Sequence, residues 1–172
     1  MRRVSIVLAL TALLVGFAGS AEAGQHRLGF GFHWWKTVDD LAGDRFNDIE
    51  SDGVSQVFSY QYLPGGLIKL EADVEYFKDG FGGSTSSAWS PQFFVLFGSF
   101  VYAGVGVGIT NSSSFESDWS DPFYAARAGF DLLLLPKLHL DLNANYSFDA
   151  WSELENVDTE TLTLGAIARF SF

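Results

Sequence analysis

Three stretches of this chain alternate apolar and polar residues for the full length of a strand, and that period of two dictates β structure. Across residues 67–77, Ile68, Leu70, Ala72, Val74 and Tyr76 fall on one face, while Lys69, Glu71, Asp73 and Glu75 fall on the other. Residues 138–149 set Leu138, Leu140, Leu142, Ala144, Tyr146 and Phe148 against His139, Asp141, Asn143, Asn145, Ser147 and Asp149. Residues 162–172 set Leu162, Leu164, Ala166, Ala168, Phe170 and Phe172 against Thr163, Gly165, Ile167, Arg169 and Ser171. Successive strand side chains point to opposite faces, so each stretch becomes a ribbon with one oily and one polar side. Helical spacing is hard to find after residue 24.

Four further segments follow the same rule with fewer polar markers. Leu28, Phe30, Phe32 and Trp34 oppose Gly29, Gly31 and His33; Phe58, Tyr60 and Tyr62 oppose Ser55, Ser59 and Gln61. Val101, Ala103, Val105, Val107 and Ile109 oppose Gly104, Gly106 and Gly108; Tyr124, Ala126, Ala128, Phe130 and Leu132 oppose Arg127, Gly129 and Asp131. Residues 92–97 are apolar on both faces, and their orientation is left undetermined. Eight strands result. Gly65-Gly66, Gly98-Ser99 and Pro136-Lys137 mark tight turns, whereas residues 39–53, 78–90, 110–121 and 150–158 are long polar connections. Short and long connections alternate, so all the long loops lie at one end of an antiparallel up-and-down barrel.

The charge sits on one face of the best strands, and the opposite face carries none across its middle. In water, eight such apolar faces would form one large exposed patch; in lipid that arrangement is required. A soluble, lipocalin-like barrel would instead turn its apolar face inward. Strands of roughly 9–11 residues also suit a tilted crossing of a bilayer. The aromatics Trp34, Trp35, Tyr60, Tyr62, Tyr76, Tyr102, Tyr124, Tyr146 and Trp151 are expected near the two membrane interfaces. The fold expected is therefore an all-β, eight-stranded transmembrane barrel.

The first 23 residues read as an export signal. Arg2 and Arg3 precede a mostly apolar run over residues 4–17, and Ala21-Glu22-Ala23 supplies the small residues of a cleavage site. The run is shorter than the ~20 residues a spanning helix needs. Cleavage before Gly24 leaves 149 of the 172 residues as one barrel domain, residues 24–172. It takes Lys+Arg from 10 to 8 and Asp+Glu from 21 to 20, a formal charge of −12. So acidic a chain is not expected to grip nucleic acid, which needs a basic surface. With no cysteine, neither disulfides nor thiolate metal sites exist.

The ending, Thr163 to Phe172, resembles the C-terminal signal of outer membrane barrels, a last alternating strand closing on phenylalanine, here Phe170 and Phe172. Gly165 stands in place of the usual glycine at position 167, which is Ile167. Residues 24–172 resemble the small OmpX-like and opacity-type surface proteins, and Tyr102-Ala103-Gly104-Val105-Gly106-Val107-Gly108 is similar to that family's fifth strand. The resemblance implies the outer membrane of a Gram-negative bacterium, with short periplasmic turns and external loops. It also implies four partners: membrane lipid, lipopolysaccharide, the barrel insertion machinery and periplasmic chaperones. No cofactor is implied.

Strand parity sends Lys69, Glu71, Asp73, Glu75, Arg127, Asp131, His139, Asp141, Asn143, Asn145 and Arg169 into the lumen. An eight-stranded barrel is just wide enough for side chains to fill, and buried charges persist only when paired. A polar plug is favoured over a narrow ion path, with Gly104, Gly106 and Gly108 leaving room for longer side chains across the barrel. Small barrels of this kind include lipid A acyl-modifying enzymes, for which only His33 is well placed; no catalytic residue is assigned. Asp48, Glu50 and Asp52 mimic the start of a calcium loop, but Ser59 replaces the closing glutamate, so a solvated acidic loop is favoured. The long loops are acidic and carry Phe46, Phe81, Trp89, Phe115, Trp119 and Leu154. The expected role is non-enzymatic: envelope structure, or presentation of these loops to an unidentified surface ligand.

Overall fold

A computed structural model of the chain describes residues 24–37, 52–78, 87–112, 119–148 and 161–172. These form nine strands: β1 (Gln25–Thr37), β2 (Asp52–Gly65), β3 (Ile68–Phe77), β4 (Ala88–Gly98), β5 (Val101–Gly108), β6 (Asn111–Ser112), β7 (Phe123–Leu135), β8 (Leu138–Phe148) and β9 (Thr161–Ser171). The eight long strands close on themselves. The ladder runs β3-β2-β1-β9-β8-β7-β5-β4, and β4 pairs back with β3. Every pairing is antiparallel. Closure leaves no long strand with a bare row of N–H and C=O groups, which would otherwise template aggregation or sit unpaired in lipid.

The short connections are as tight as their residues require. Gly65 and Gly66 join β2 to β3 with φ of 122° and 67°, and Gly98 opens the β4–β5 turn at 131°, conformations open to residues without a Cβ. The β7–β8 turn places Lys137 at φ 72°, a left-handed position that a side chain opposes.

Three segments expected in long loops belong to strands. Asp52 and Gly53 begin β2 and pair with Lys36 and Trp35 of β1. Residues 88–90, expected in a long loop, extend β4 and pair with β3 out to Phe77↔Ala88. Residues Asn111 and Ser112, also expected in a loop, form β6 along the start of β4, and Trp119 bridges to Asn111. Neighbouring polar, glycine and proline residues marked all three segments as loop, but adjacent backbone offered ladder partners that a loop-like sequence does not reveal.

The barrel is inside out relative to a soluble protein. Leu28, Phe30, Phe32, Phe58, Val74, Val95, Val105, Val107, Phe130, Leu142 and Leu164 are exposed on the outer wall, while Lys69, Glu71, Asp73, Arg127, Asp141 and Arg169 are buried. β4 resolves the undetermined orientation of residues 92–97: Phe94 and Leu96 are fully buried and Val95 and Phe97 are exposed. Pairing with β3 decides it, since Glu71↔Phe94 and Lys69↔Leu96 share the inward parity. Phe94 and Leu96 pack with Tyr102 and Ala125 as an apolar cluster inside the barrel. The interior is therefore part polar and part oily.

Tyr102 corrects an expectation. Placed at a membrane interface by its aromatic ring, it is instead 2% exposed. Its parity is that of Gly104, Gly106 and Gly108, and parity prevails over residue type. On the outer wall, Trp34 is exposed and Tyr60, Tyr62, Tyr76, Tyr124 and Tyr146 are half-buried. The side chain of Trp35 and the whole of Trp151 lie outside the described residues.

Candidate functional site: the barrel interior

Three tiers of polar side chains fill the barrel from the short-turn end upward. At the mouth, Asp131 of β7 gathers the cations. Its Oδ2 accepts from Arg27 Nη1 at 2.6 Å and Lys69 Nζ at 2.7 Å, and its Oδ1 lies 2.8 Å from His139 Nδ1. Arg27 also donates to Gln25 and Gln61, and Lys69 donates to the Ser99 carbonyl at 2.9 Å. The Lys69 ammonium stands 4.7 Å from the Tyr102 ring centroid.

In the central tier Glu71 is the hub. Its Oε1 accepts from Arg127 at 2.6 Å and Arg169 at 2.5 Å, and its Oε2 accepts from Gln61 at 2.7 Å. Arg127 reaches Asp73 at 2.7 Å and also donates to Asn145. Arg169 pairs with Asp141 at 2.5 Å and donates to Ser59 at 3.1 Å. Asp141 in turn accepts from the Tyr102 hydroxyl at 2.8 Å and from Asn143 at 2.7 Å. Arg127 stacks its guanidinium 3.7 Å over Phe94, where a planar delocalised cation suits an aromatic face. Charge-assisted bonds of this length are the strong ones. The desolvation of two arginines is offset only because so many acceptors converge on them.

The upper tier is Glu75, which accepts from Ser55 and from Gln92 (2.9 Å), with His33 Nδ1 at 3.1 Å. His33 is 1% exposed and faces the lumen.

All eleven sequence-predicted lumen residues are buried inside the barrel, and ten of them join the mouth and central tiers; Glu75 stands apart in the upper one. Sequence reasoning set Ser55, Ser59 and Gln61 on the polar face without giving them a place in the lumen network, missed Arg27 and Gln92, assigned Tyr102 to an interface, and weighed His33 only as a catalytic candidate. Parity was signal enough for Arg27 and Tyr102, which share a face with neighbouring lumen glycines. Asp48 and Glu50 lie outside the described residues, as does the side chain of Asp52. Among the described residues no cluster of histidine and carboxylates is arranged to hold a metal.

A spacing rule explains how an eight-stranded barrel holds such large side chains. Arg169 lies directly across from Gly29, His33 from Gly165, Tyr102 from Gly129, Arg127 from Gly104 and Phe94 from Gly106. A Cβ on Gly29 would sit 2.8 Å from the Arg169 stem, and one on Gly165 would overlap the His33 ring. The expected room at Gly104 and Gly106 exists, but it serves the adjacent strand. Leu96 and Phe94 of β4 occupy it.

No protein-family model matches this sequence, and no curated protein matches it. Solved structures do. Neisserial surface protein A superposes with a TM-score of 0.54 at 12% identity, over 90% of this chain and 100% of that one. The N-terminal β-barrel domain of Pseudomonas aeruginosa OprF gives 0.56 at 12% identity, over 89% of this chain and 100% of that one. The chain thus has the fold of the small outer membrane barrels, a closed, all-β, eight-stranded antiparallel barrel.

Proposed function

We propose that this protein is an integral, non-enzymatic barrel of a Gram-negative outer membrane, exported by residues 1–23 and cleaved before Gly24. The short turns face the periplasm and the long acidic loops face outward. The observation that carries this reading is the inverted wall: large apolar side chains cover the outside while charged ones are paired within. Roughly 25 cal/mol per Å² of apolar surface makes such a wall untenable in water and favourable in lipid. Its partners are then membrane lipid and lipopolysaccharide, reached after passage through periplasmic chaperones and the insertion machinery, which would engage the strand ending in Phe170 and Phe172.

The interior acts as a plug that stiffens the wall, leaving the loops to contribute to envelope structure or to meet a surface ligand. Burial of Arg127, Arg169, Glu71 and Asp141 supports the plug over a conducting path. The lumenal position of His33 separates it from lipid on the outer wall, which weighs against an acyl-modifying enzyme. Membrane fractionation with detergent extraction tests the location, and gel mobility with and without heating tests the closed barrel. Extraction by buffer alone would sink the membrane reading. Regular single-channel steps from the pure protein would sink the plug.

A further inference from the structure

We propose that the short-turn mouth of the barrel is a binding pocket for a small oxyanion, held by Lys69 and Arg27. A cavity of about 320 Å³ opens there among the turn residues Gly66, Gly98 and Ser99, with Arg27, Lys69 and His139 in its wall. The side chains of Arg27 and Lys69 are 7% and 3% exposed, so their positions are set by the barrel.

The charge balance at this level is what points to an anion. Two permanent cations share one carboxylate, Asp131, and both use the same oxygen. His139 occupies the other oxygen. The mouth therefore keeps one uncompensated positive charge in a chain whose formal net charge is −11. The central tier has the opposite balance, with Glu71, Asp73 and Asp141 against Arg127 and Arg169. Donors remain as well. An ammonium has three protons, and Lys69 spends two of them, on Ser99 and Asp131, among the described residues. Gln25 accepts from Nε and Nη2 of Arg27, and Gln61 shares Nη1 with Asp131, so two neutral amides fix the fork without neutralising it and, among the described residues, one Nη2 proton remains. An oxyanion entering the cavity would meet two buried cations and complete the donor set that Asp131 satisfies only in part. Phosphate and phosphoryl headgroups share that chemistry, and the pocket lies where either a periplasmic solute or a lipid headgroup would reach it.

The test uses the full barrel folded in neutral maltoside micelles, titrated with inorganic phosphate at low ionic strength by calorimetry. Saturable one-to-one binding is expected. Lys69→Gln and Arg27→Gln should each weaken it roughly tenfold or more, because each removes a contacting charge in a partly desolvated site. Asp131→Asn should tighten it by a similar factor by removing the competing carboxylate, an effect opposite to any general loosening of the fold. Heat-dependent gel mobility shows that each variant is folded; should Lys69→Gln fail to fold, Arg27→Gln and Asp131→Asn carry the test. Absence of saturable binding overturns the proposal, as does binding indifferent to both cations or weakened in Asp131→Asn. Repeating the titration in micelles doped with an anionic phospholipid separates the sources. Displacement of phosphate assigns the pocket to a lipid headgroup, and undiminished binding assigns it to a free solute.

Discussion

Tyr102 lies directly opposite Gly129 in the β5–β7 ladder, and a Cβ on Gly129 would stand 2.6 Å from the Tyr102 hydroxyl. That hydroxyl is committed to Asp141 at 2.8 Å, so the ring cannot swing away without abandoning a buried carboxylate. Gly129→Ala is expected to destabilise the barrel by about 1–3 kcal/mol through overpacking. Tyr102→Phe keeps the shape and should cost about 1–3 kcal/mol through the bond lost at a charged acceptor. Denaturant unfolding in detergent measures both, with Ala128→Gly on the outer wall as the mild control.

The Glu71 hub predicts strong asymmetry between single and paired changes. Glu71→Gln leaves Arg127 and Arg169 buried with less compensation, and a loss of about 3–5 kcal/mol is expected. Glu71→Leu combined with Arg169→Met should recover part of that, because Arg127 keeps Asp73, while Asp141 loses its cation but keeps the bonds from Tyr102 and Asn143. Equilibrium unfolding of the single and double variants reads the coupling directly; simple additivity would mean that the hub is not a unit.

Val105, exposed on the outer wall in mid-strand, separates the membrane setting from a soluble one. Val105→Arg should cost about 2–4 kcal/mol in a bilayer. In water a new surface charge would be close to neutral or improve solubility. Folding yield and stability in lipid vesicles decide between them.

Lys137 carries a positive φ of 72° in the β7–β8 turn. Lys137→Gly should stabilise the barrel by roughly 0.5–1 kcal/mol, since glycine adopts this conformation without a clash of Cβ. The Ser171 N–H bond to the Lys137 carbonyl, 2.8 Å, uses only backbone and is retained. A lower unfolding midpoint in denaturant would show that the Lys137 side chain contributes more than its strain removes.

Period-two alternation was enough to identify the strands around Glu71, Asp141 and Arg169, their inward faces and the barrel they build, because a pleated strand has only two faces and a closed wall must assign one to each side. The same rule failed at residues 92–97, where Phe93, Phe94, Val95 and Leu96 offer no polar marker; only the register against Glu71 and Lys69 of β3 turned Phe94 and Leu96 inward. Parity also could not say which inward residues meet. Arg27 and Asp131 are 104 positions apart and touch at 2.6 Å, a contact set by strand stagger and closure, which no local pattern records. The periodicity of this chain thus determined a polar-lined barrel with long loops at one end. Its tertiary structure alone decided that Phe94 and Leu96 belong to the interior, that glycines stand opposite the bulkiest lumen side chains, and that the positive charge collects at the mouth. Those outcomes depend on distances across the barrel, and the barrel fixes such distances only once it has closed.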